Sequence, residues 1–243
     1  MVSNDVVTLG HILMDMRIIV DRFATPDTEA KILGVSYGVG GSAANVAVGI
    51  KRFGYKSAVI AKVGMDDFGR LAVESLSLNG VDVSNVRVGV TGETGFTIVI
   101  INSAGEIVMY GYKGVSEELK PDEINRDAIA NTKALHIASL RLDTSVEAAK
   151  VAKANNVLVS WDPGRRLAEL GIDDPQVSTL LTYTDIILLN EYETKLLTKI
   201  DNYKQAARKL IERGPSIVVV KRGAKGVYTL TRDGAEMELQ AFR

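Results

Sequence analysis

The sequence predicts an α/β domain with a doubly wound, mainly parallel sheet and a small β-sheet lid. Three observations carry this. Short apolar, β-branched runs recur along the 243 residues, as buried parallel strands require. Helical stretches separate many of these runs, which is the pattern of right-handed βαβ crossovers. Two extended segments, Leu13–Tyr37 and Thr94–Tyr112, break that alternation on either side of a glycine cluster.

In chain order, the strand-like runs are Val6–Leu9, Ser57–Val63, Ala134–Ala138, Val157–Trp161, Ile186–Leu189 and Ile217–Val220. Helices are predicted over Asp67–Leu78, Ser145–Asn155, Gln176–Thr182 and Tyr203–Arg213, with a further helix capped and started from Ser42 onward. Pro163, Pro175 and Pro215 punctuate element boundaries. Within the two exceptional segments, Arg17–Val20, Phe96–Ile101 and Ile107–Tyr110 are β-prone, and Asn102-Ser103-Ala104-Gly105 reads as a hairpin turn. Together they form one discontinuous lid over approximately 13–37 and 94–112, whose closure would keep water from a ligand; an edge extension or a subunit interface fits the same pattern. The segment Met237–Phe242 reads as a last extended strand.

Composition bounds the function. At 46% hydrophobic, the chain can bury one substantial core. The 29 basic and 30 acidic side chains nearly balance, which argues against nucleic acid or an anionic membrane as partner. With no cysteine there are no disulfides or thiolate metal sites, as in a reducing cytoplasm, and two histidines make a His-rich metal site improbable. No apolar run has membrane-spanning length, so a cytoplasmic protein is the expectation.

The run GVGGSAANVAVGIKRFGYKSAVIAKVGMDDFG, Gly38 to Gly69, is the most informative stretch. Gly38, Gly40 and Gly41 free the backbone for close approach of a ligand to N–H groups at a helix start. Asn45, one turn after Gly41, brings a donor and an acceptor to the same place, which suits a hydroxyl-rich molecule. The same glycines also suit tight packing of the apolar face Ala43, Val46, Ala47, Ile50 and Phe53. The spacing is not the GxGxxG of dinucleotide-binding domains.

This run resembles the N-terminal signature of the ribokinase-like, or PfkB, family of carbohydrate kinases, through the glycine pair, Asn45, Phe53-Gly54 and Val63-Gly64-Met65-Asp66-Asp67-Phe68-Gly69. Gly80-Val81-Asp82, the DPxxR-like Asp162–Arg166, the NxxE motif Asn190–Glu193 and the glycine loop Lys221–Gly226 follow in the family's order. The resemblance implies ATP-dependent phosphorylation of a sugar or sugar-acid hydroxyl, with ATP and Mg²⁺ as cofactors. It implies substrate contacts from Asp15, Gly40, Gly41, Asn45, Tyr112 and Arg166. The planar guanidinium of Arg166 suits a carboxylate or phosphate, as in relatives acting on 2-keto-3-deoxygluconate, although a surface salt bridge would use it equally. Asn190, Lys221, Gly223 and Gly226 are implied on the nucleotide side, and Glu193 would hold Mg²⁺ indirectly through water. Read without the family, Asn190-Glu191 is a helix N-cap with a first-turn acid. Lid strands with open edges would allow a homodimer.

The family's GAGD motif, bearing its catalytic aspartate, does not occur before the chain ends at Arg243. No catalytic residue is therefore assigned within the chain, and the aspartate is expected beyond Arg243. The alternatives are a nucleoside kinase, or a noncatalytic sugar-binding protein if 243 residues is the native length.

Overall fold

A computed structural model describes residues 4–242. In chain order, its elements begin with β1 (Asn4–Gly10), β2 (Leu13–Val20), β3 (Ile32–Gly40), α1 (Ser42–Arg52), β4 (Ser57–Gly64), α2 (Asp67–Leu78), β5 (Val86–Gly89), β6 (Thr94–Ile101) and β7 (Ile107–Gly114). There follow a 3-10 turn (Val115–Glu118), α3 (Arg126–Ala130), β8 (Thr132–Ala138), α4 (Leu142–Ala154), β9 (Leu158–Asp162), α5 (Gly164–Ala168), α6 (Pro175–Tyr183) and β10 (Ile186–Asn190). Last come α7 (Glu191–Thr198), α8 (Tyr203–Ile211), β11 (Ile217–Lys221), a second 3-10 turn (Gly223–Lys225), β12 (Val227–Thr231) and β13 (Glu236–Leu239).

Among the described residues these strands form two sheets. The larger has the order β13-β12-β11-β10-β9-β8-β1-β4-β5. It is parallel from β5 to β11, and β12 and β13 turn back antiparallel at one edge. The order runs outward from β1 in both directions, the doubly wound arrangement, so ligands belong at the carboxyl ends of the strands. Alternation along β4 explains the two-sided core: Ala58 and Ile60 join a cluster with Leu135, Ile137 and Trp161. Val59, Ala61 and Val63 join another with Ala43, Ala47, Ala72 and Leu76. Each such Val, Ile or Leu contributes about 1.5 to 3 kcal/mol through burial, which is why these runs carry no alternating polar residues.

The smaller sheet has the order β3-β2-β6-β7. Its strand β3 is longer than the β-prone pieces visible in the sequence, and it absorbs Gly38 and Gly40. Strand β13 covers Glu236–Leu239 rather than Met237–Phe242. Ser42 does not cap α1: the cap position is Gly41, and the Ser42 hydroxyl donates to the Ala138 carbonyl at 3.3 Å. Local signals hold elsewhere, with Asp66, Asp174 and Asn202 accepting first-turn N–H bonds of α2, α6 and α8. No helix among the described residues is long and apolar enough to cross a membrane.

Candidate active site

The carboxyl ends of β9, β10 and β11 carry Asp162, Asn190 and Lys221 to one edge of the large sheet, with Arg166 in the helix after β9, whereas Asp15 and Tyr112 stand on the small sheet. Pairing registers determine which lid side chains look into this cleft. Asp15 pairs with Gly38 and Thr97, and Thr97 pairs with Gly111, so these positions share one face. Met14, Phe96 and Tyr112 share the other. Lys113 therefore stands on Asp15's face and Tyr112 does not. The expectation that Tyr112 meets substrate is corrected on this ground: its ring packs 5.5 Å from Phe96, in an aromatic chain that continues through Phe68 to Tyr37.

The Asp15 face is cleared by glycine. A Cβ on Gly40 would overlap the Asp15 carboxylate, and one on Gly41, where φ is +94°, would overlap the His11 carbonyl. Gly111 has open space where its Cβ would be. Asn45 is exposed on the first turn of α1 and borders a recess of about 240 Å³ between α1 and α2, beside Val39 and Leu76. Among the described residues its carboxamide bonds to no protein group, so it is free for a ligand, yet the structure does not join it to Asp15.

Two groups that sequence reasoning left out complete the substrate end. Glu117, in the turn after β7, accepts from His11 Nε2 at 2.8 Å and from the Arg166 guanidinium. His11 is 2% exposed, between β1 and β2. Burial pushes the Glu117 carboxyl up, but the bonds from His11 and Arg166 outweigh it and hold the pKa below the ordinary carboxylate value. Lost hydration pulls the Lys113 pKa down; Glu117 and Asp15 oppose this and the nearby Arg166 adds to it. Lys113 forms no ion pair among the described residues, whereas its neighbour in the cleft, Arg166, is paired to Glu117. Arg165 points elsewhere, to Glu169 at 2.9 Å and over the Tyr192 ring. Nothing local in the sequence signals the pairing of His11 with Glu117, which are 106 positions apart.

At the nucleotide end the helix cap is satisfied locally, while Lys221 reaches across to another strand. Asn190 and Glu193 form a reciprocal capping box on α7: Glu193 N–H donates to Asn190 Oδ1 and Asn190 N–H donates to Glu193 Oε2, both at 2.8 Å. Lys221 Nζ donates to Asp162 Oδ2 at 2.7 Å, joining β11 to β9. Gly223 has φ of +57° with open space at its Cβ position, as a close-approaching ligand would need. Gly226 has a different reason: a Cβ there would overlap the Leu239 carbonyl where β13 passes. His136, in β8, is buried with Nδ1 2.8 Å from the Ser160 hydroxyl. Burial drives its pKa down to about 4, with Asp162 opposing and Lys221 assisting.

A concavity of about 970 Å³ lies between α2 and β5, and none of Asp15, Gly40, Gly41, Asn45 or Arg166 lines it. Among the described residues no three acidic or histidine side chains converge as a metal cage.

A family model described as pfkB family carbohydrate kinase matches residues 3–243. The chain is 34% identical over 230 residues to the ATP-dependent ribose-1-phosphate kinase of Halopiger xanaduensis, a match covering 95% of this chain and 75% of that protein. It is 31% identical over 255 residues to the 5-dehydro-2-deoxygluconokinase of Clostridium beijerinckii, covering 98% of this chain and 74% of that one. The Arabidopsis thaliana ribokinase complexed with ribose and ATP has the same fold, with a TM-score of 0.85 at 23% identity over 98% of this chain and 78% of that chain.

Proposed function

The chain belongs to the pfkB family of carbohydrate kinases, and from that premise we propose that it phosphorylates, with ATP, a primary hydroxyl of a sugar carrying an anionic group. Phosphoryl transfer to a sugar or sugar acid is the activity of the family; the anionic group is the finer reading. The observation that carries it is the exposed Arg166 guanidinium, held by Glu117, with Lys113 near enough to feel its charge and forming no ion pair of its own among the described residues, although Glu117 and Asp15 also act on that lysine. A carboxylate or phosphate on the substrate would gain charge-assisted hydrogen bonds from these cations. The names of the two relatives, a ribose-1-phosphate kinase and a dehydrodeoxygluconokinase, point the same way.

In this reading Asp15 accepts from sugar hydroxyls, and Gly40, Gly41 and Asn45 fix the sugar's orientation at the start of α1. Arg166 holds the anionic group, kept in place by Glu117 and His11. The lid formed by β2, β3, β6 and β7 covers the site and excludes water. On the nucleotide side, Gly223 leaves room for close approach and Lys221 supplies a cation for phosphate. ATP supplies the phosphoryl group, and Mg²⁺ would sit on its phosphates with most of its water retained. One oxygen of Glu193 is committed to Asn190 N–H, which suits contact with such an ion through water rather than direct ligation. Asn190 itself would act mainly by holding Glu193. The lack of cysteine accords with a cytoplasmic setting. The outer lid strands β3 and β7 have free edges and expose Ile32, Leu33 and Tyr110, which supports pairing of two chains there.

The test is a substrate panel assayed with the native full-length protein and Mg-ATP: sugar phosphates, sugar acids, the matching neutral sugars and nucleosides. The expected result is a kcat/KM at least about tenfold higher for an anionic sugar than for its neutral counterpart. A preference for neutral sugars or nucleosides would overturn the reading.

A further inference from the structure

The segment Val63–Gly69 stands out in the sequence, yet it sends no side chain into the cleft between Asp15 and Arg166. Its polar groups are used at the root of the lid. Asp66 Oδ1 accepts from Gly69 N–H at 2.7 Å and from the Thr94 hydroxyl at 2.6 Å. Asp66 Oδ2 accepts from Thr94 N–H at 2.7 Å. The Thr94 oxygen in turn accepts from Gly64 N–H at 2.8 Å. Thr94 is fully buried and opens β6, the strand that carries the second half of the lid.

The backbone around this node is fitted without slack. A Cβ on Gly64 would fall 2.6 Å from Thr94 N, and one on Gly69 would fall 2.8 Å from Thr94 Oγ1 and overlap the Gly64 carbonyl. The returning strand is tied to the same point: Gly114 pairs with Thr94 at φ of +50°, and Val115 N–H donates to the Glu93 carbonyl at 3.0 Å. Burial would raise the Asp66 pKa, but the bonds from Thr94 and Gly69 hold it below the ordinary value, so the carboxylate stays charged at neutral pH. A charged acceptor held by three donors is stronger than neutral hydrogen bonds of the same length.

We propose that Asp66 is a positioning residue: with Thr94 it forms a fixed pivot that clamps the lid to α2 and sets the lid's angle over the sugar. The pivot itself is independent of the substrate assigned above, while its effect on sugar affinity rests on that reading. Replacing Asp66 by Asn keeps the shape and one acceptor oxygen but turns an NH₂ group toward a donor, so the clamp opens without a change in volume.

The experiment uses the absence of cysteine. Ala104→Cys at the lid tip and Lys150→Cys on α4, both exposed positions, carry a pair of spin labels, and the distance distribution is measured without ligand. The expected result is a narrow distribution in the parent. D66N and Thr94→Val broaden or shift it, and Thr94→Ser restores it because the hydroxyl is kept. In kinetics, D66N and Thr94→Val raise the sugar KM about tenfold with the ATP KM unchanged. An identical distance distribution in parent, D66N and Thr94→Val would overturn the pivot, as would equal rises in both KM values. If the parent phosphorylates no sugar, the substrate reading fails, and the ligand-free distances still decide the pivot.

Discussion

The substrate end and the nucleotide end of the cleft are built from opposite kinds of contact. At the substrate end the side chains come together from distant parts of the chain: His11 with Glu117, Glu117 with Arg166, and Lys113 beside both. Space there is kept by Gly40 and Gly41, whose missing side chains make room for Asp15 and the His11 carbonyl. At the nucleotide end Asn190 and Glu193 satisfy each other across three residues, and Gly223 to Gly226 close a single turn. Substrate choice thus rests on tertiary geometry, while the nucleotide platform, apart from the Lys221–Asp162 pair between β11 and β9, rests on local geometry that forms with its own helix and turn. The first should be fragile to small changes in packing, and the second should tolerate them.

The largest expected effect tests that contrast with one methyl group at each end. Gly41→Ala, at a φ of +94°, forces a Cβ into the His11 backbone carbonyl, which cannot swing aside as a side chain would, and overpacking of this kind costs about 1 to 3 kcal/mol, so sugar affinity should fall by up to about a hundredfold. Gly223→Ala meets open space and suffers only from its positive φ, so the KM for ATP should move by less than about fivefold. Isothermal titration with sugar and initial rates against ATP would measure the two. Comparable losses at both ends would break the contrast.

Next in size is Arg166→Ala. A hydrogen bond to a charged group contributes about 1.5 to 3 kcal/mol, so the KM for an anionic sugar should rise roughly ten- to hundredfold. The KM for its neutral counterpart should stay nearly constant, because Asp15, Gly40 and Asn45 are untouched. An equal rise for both sugars would mean that Arg166 supports the cleft's shape rather than reading charge.

What the sequence disclosed follows the same division. The parallel strands and α2 were legible because burial on both faces leaves uninterrupted runs such as Ser57–Val63 and an amphipathic helix behind them. Asn190-Glu191 could be read as an N-cap with a first-turn acid because that signal is local, whereas the return bond from Glu193 that completes the capping box emerged only in the structure. The lid was visible as a region, but β3 was not, since its alternating Gly34, Ser36, Gly38 and Gly40 have little strand propensity and are held by pairing with β2. Tyr112 was misplaced because a one-residue step in a strand changes face, and only the register with Phe96 and Met14 fixes which face that is. The pairing of His11 with Glu117 was invisible for the reason that makes it informative: it exists only after the chain has folded.

A smaller effect separates structure from binding at the nucleotide end. Removing the cap with Asn190→Ala should lower stability by about 1 kcal/mol, read as a decrease of about 2 to 4 °C in Tm, with a minor change in the KM for ATP. Lys221→Ala should do the reverse, because an exposed Lys–Asp pair contributes at most about 1 kcal/mol to stability while the lost cation weakens phosphate binding. If Asn190→Ala raised the KM for ATP as much as Lys221→Ala at unchanged Tm, Asn190 would be a nucleotide contact first and a cap second.

The smallest effect concerns acid. Glu117 has a folded-state pKa below its unfolded value, so its unfolded form takes up the proton first as pH falls. Its contribution is therefore complete above the unfolded pKa of about 4.3 and is lost as pH drops through the folded value. Its partner Arg166 is exposed, so solvent screening limits this contribution to under about 1 kcal/mol. Urea unfolding of the native protein and of Glu117→Gln, compared at pH 6 and at pH 3.5, should show a steeper loss for the native chain. Parallel curves would mean that His11 and Arg166 bind the neutral amide as well as the carboxylate, and that the substrate end owes its order to hydrogen-bond geometry rather than to charge.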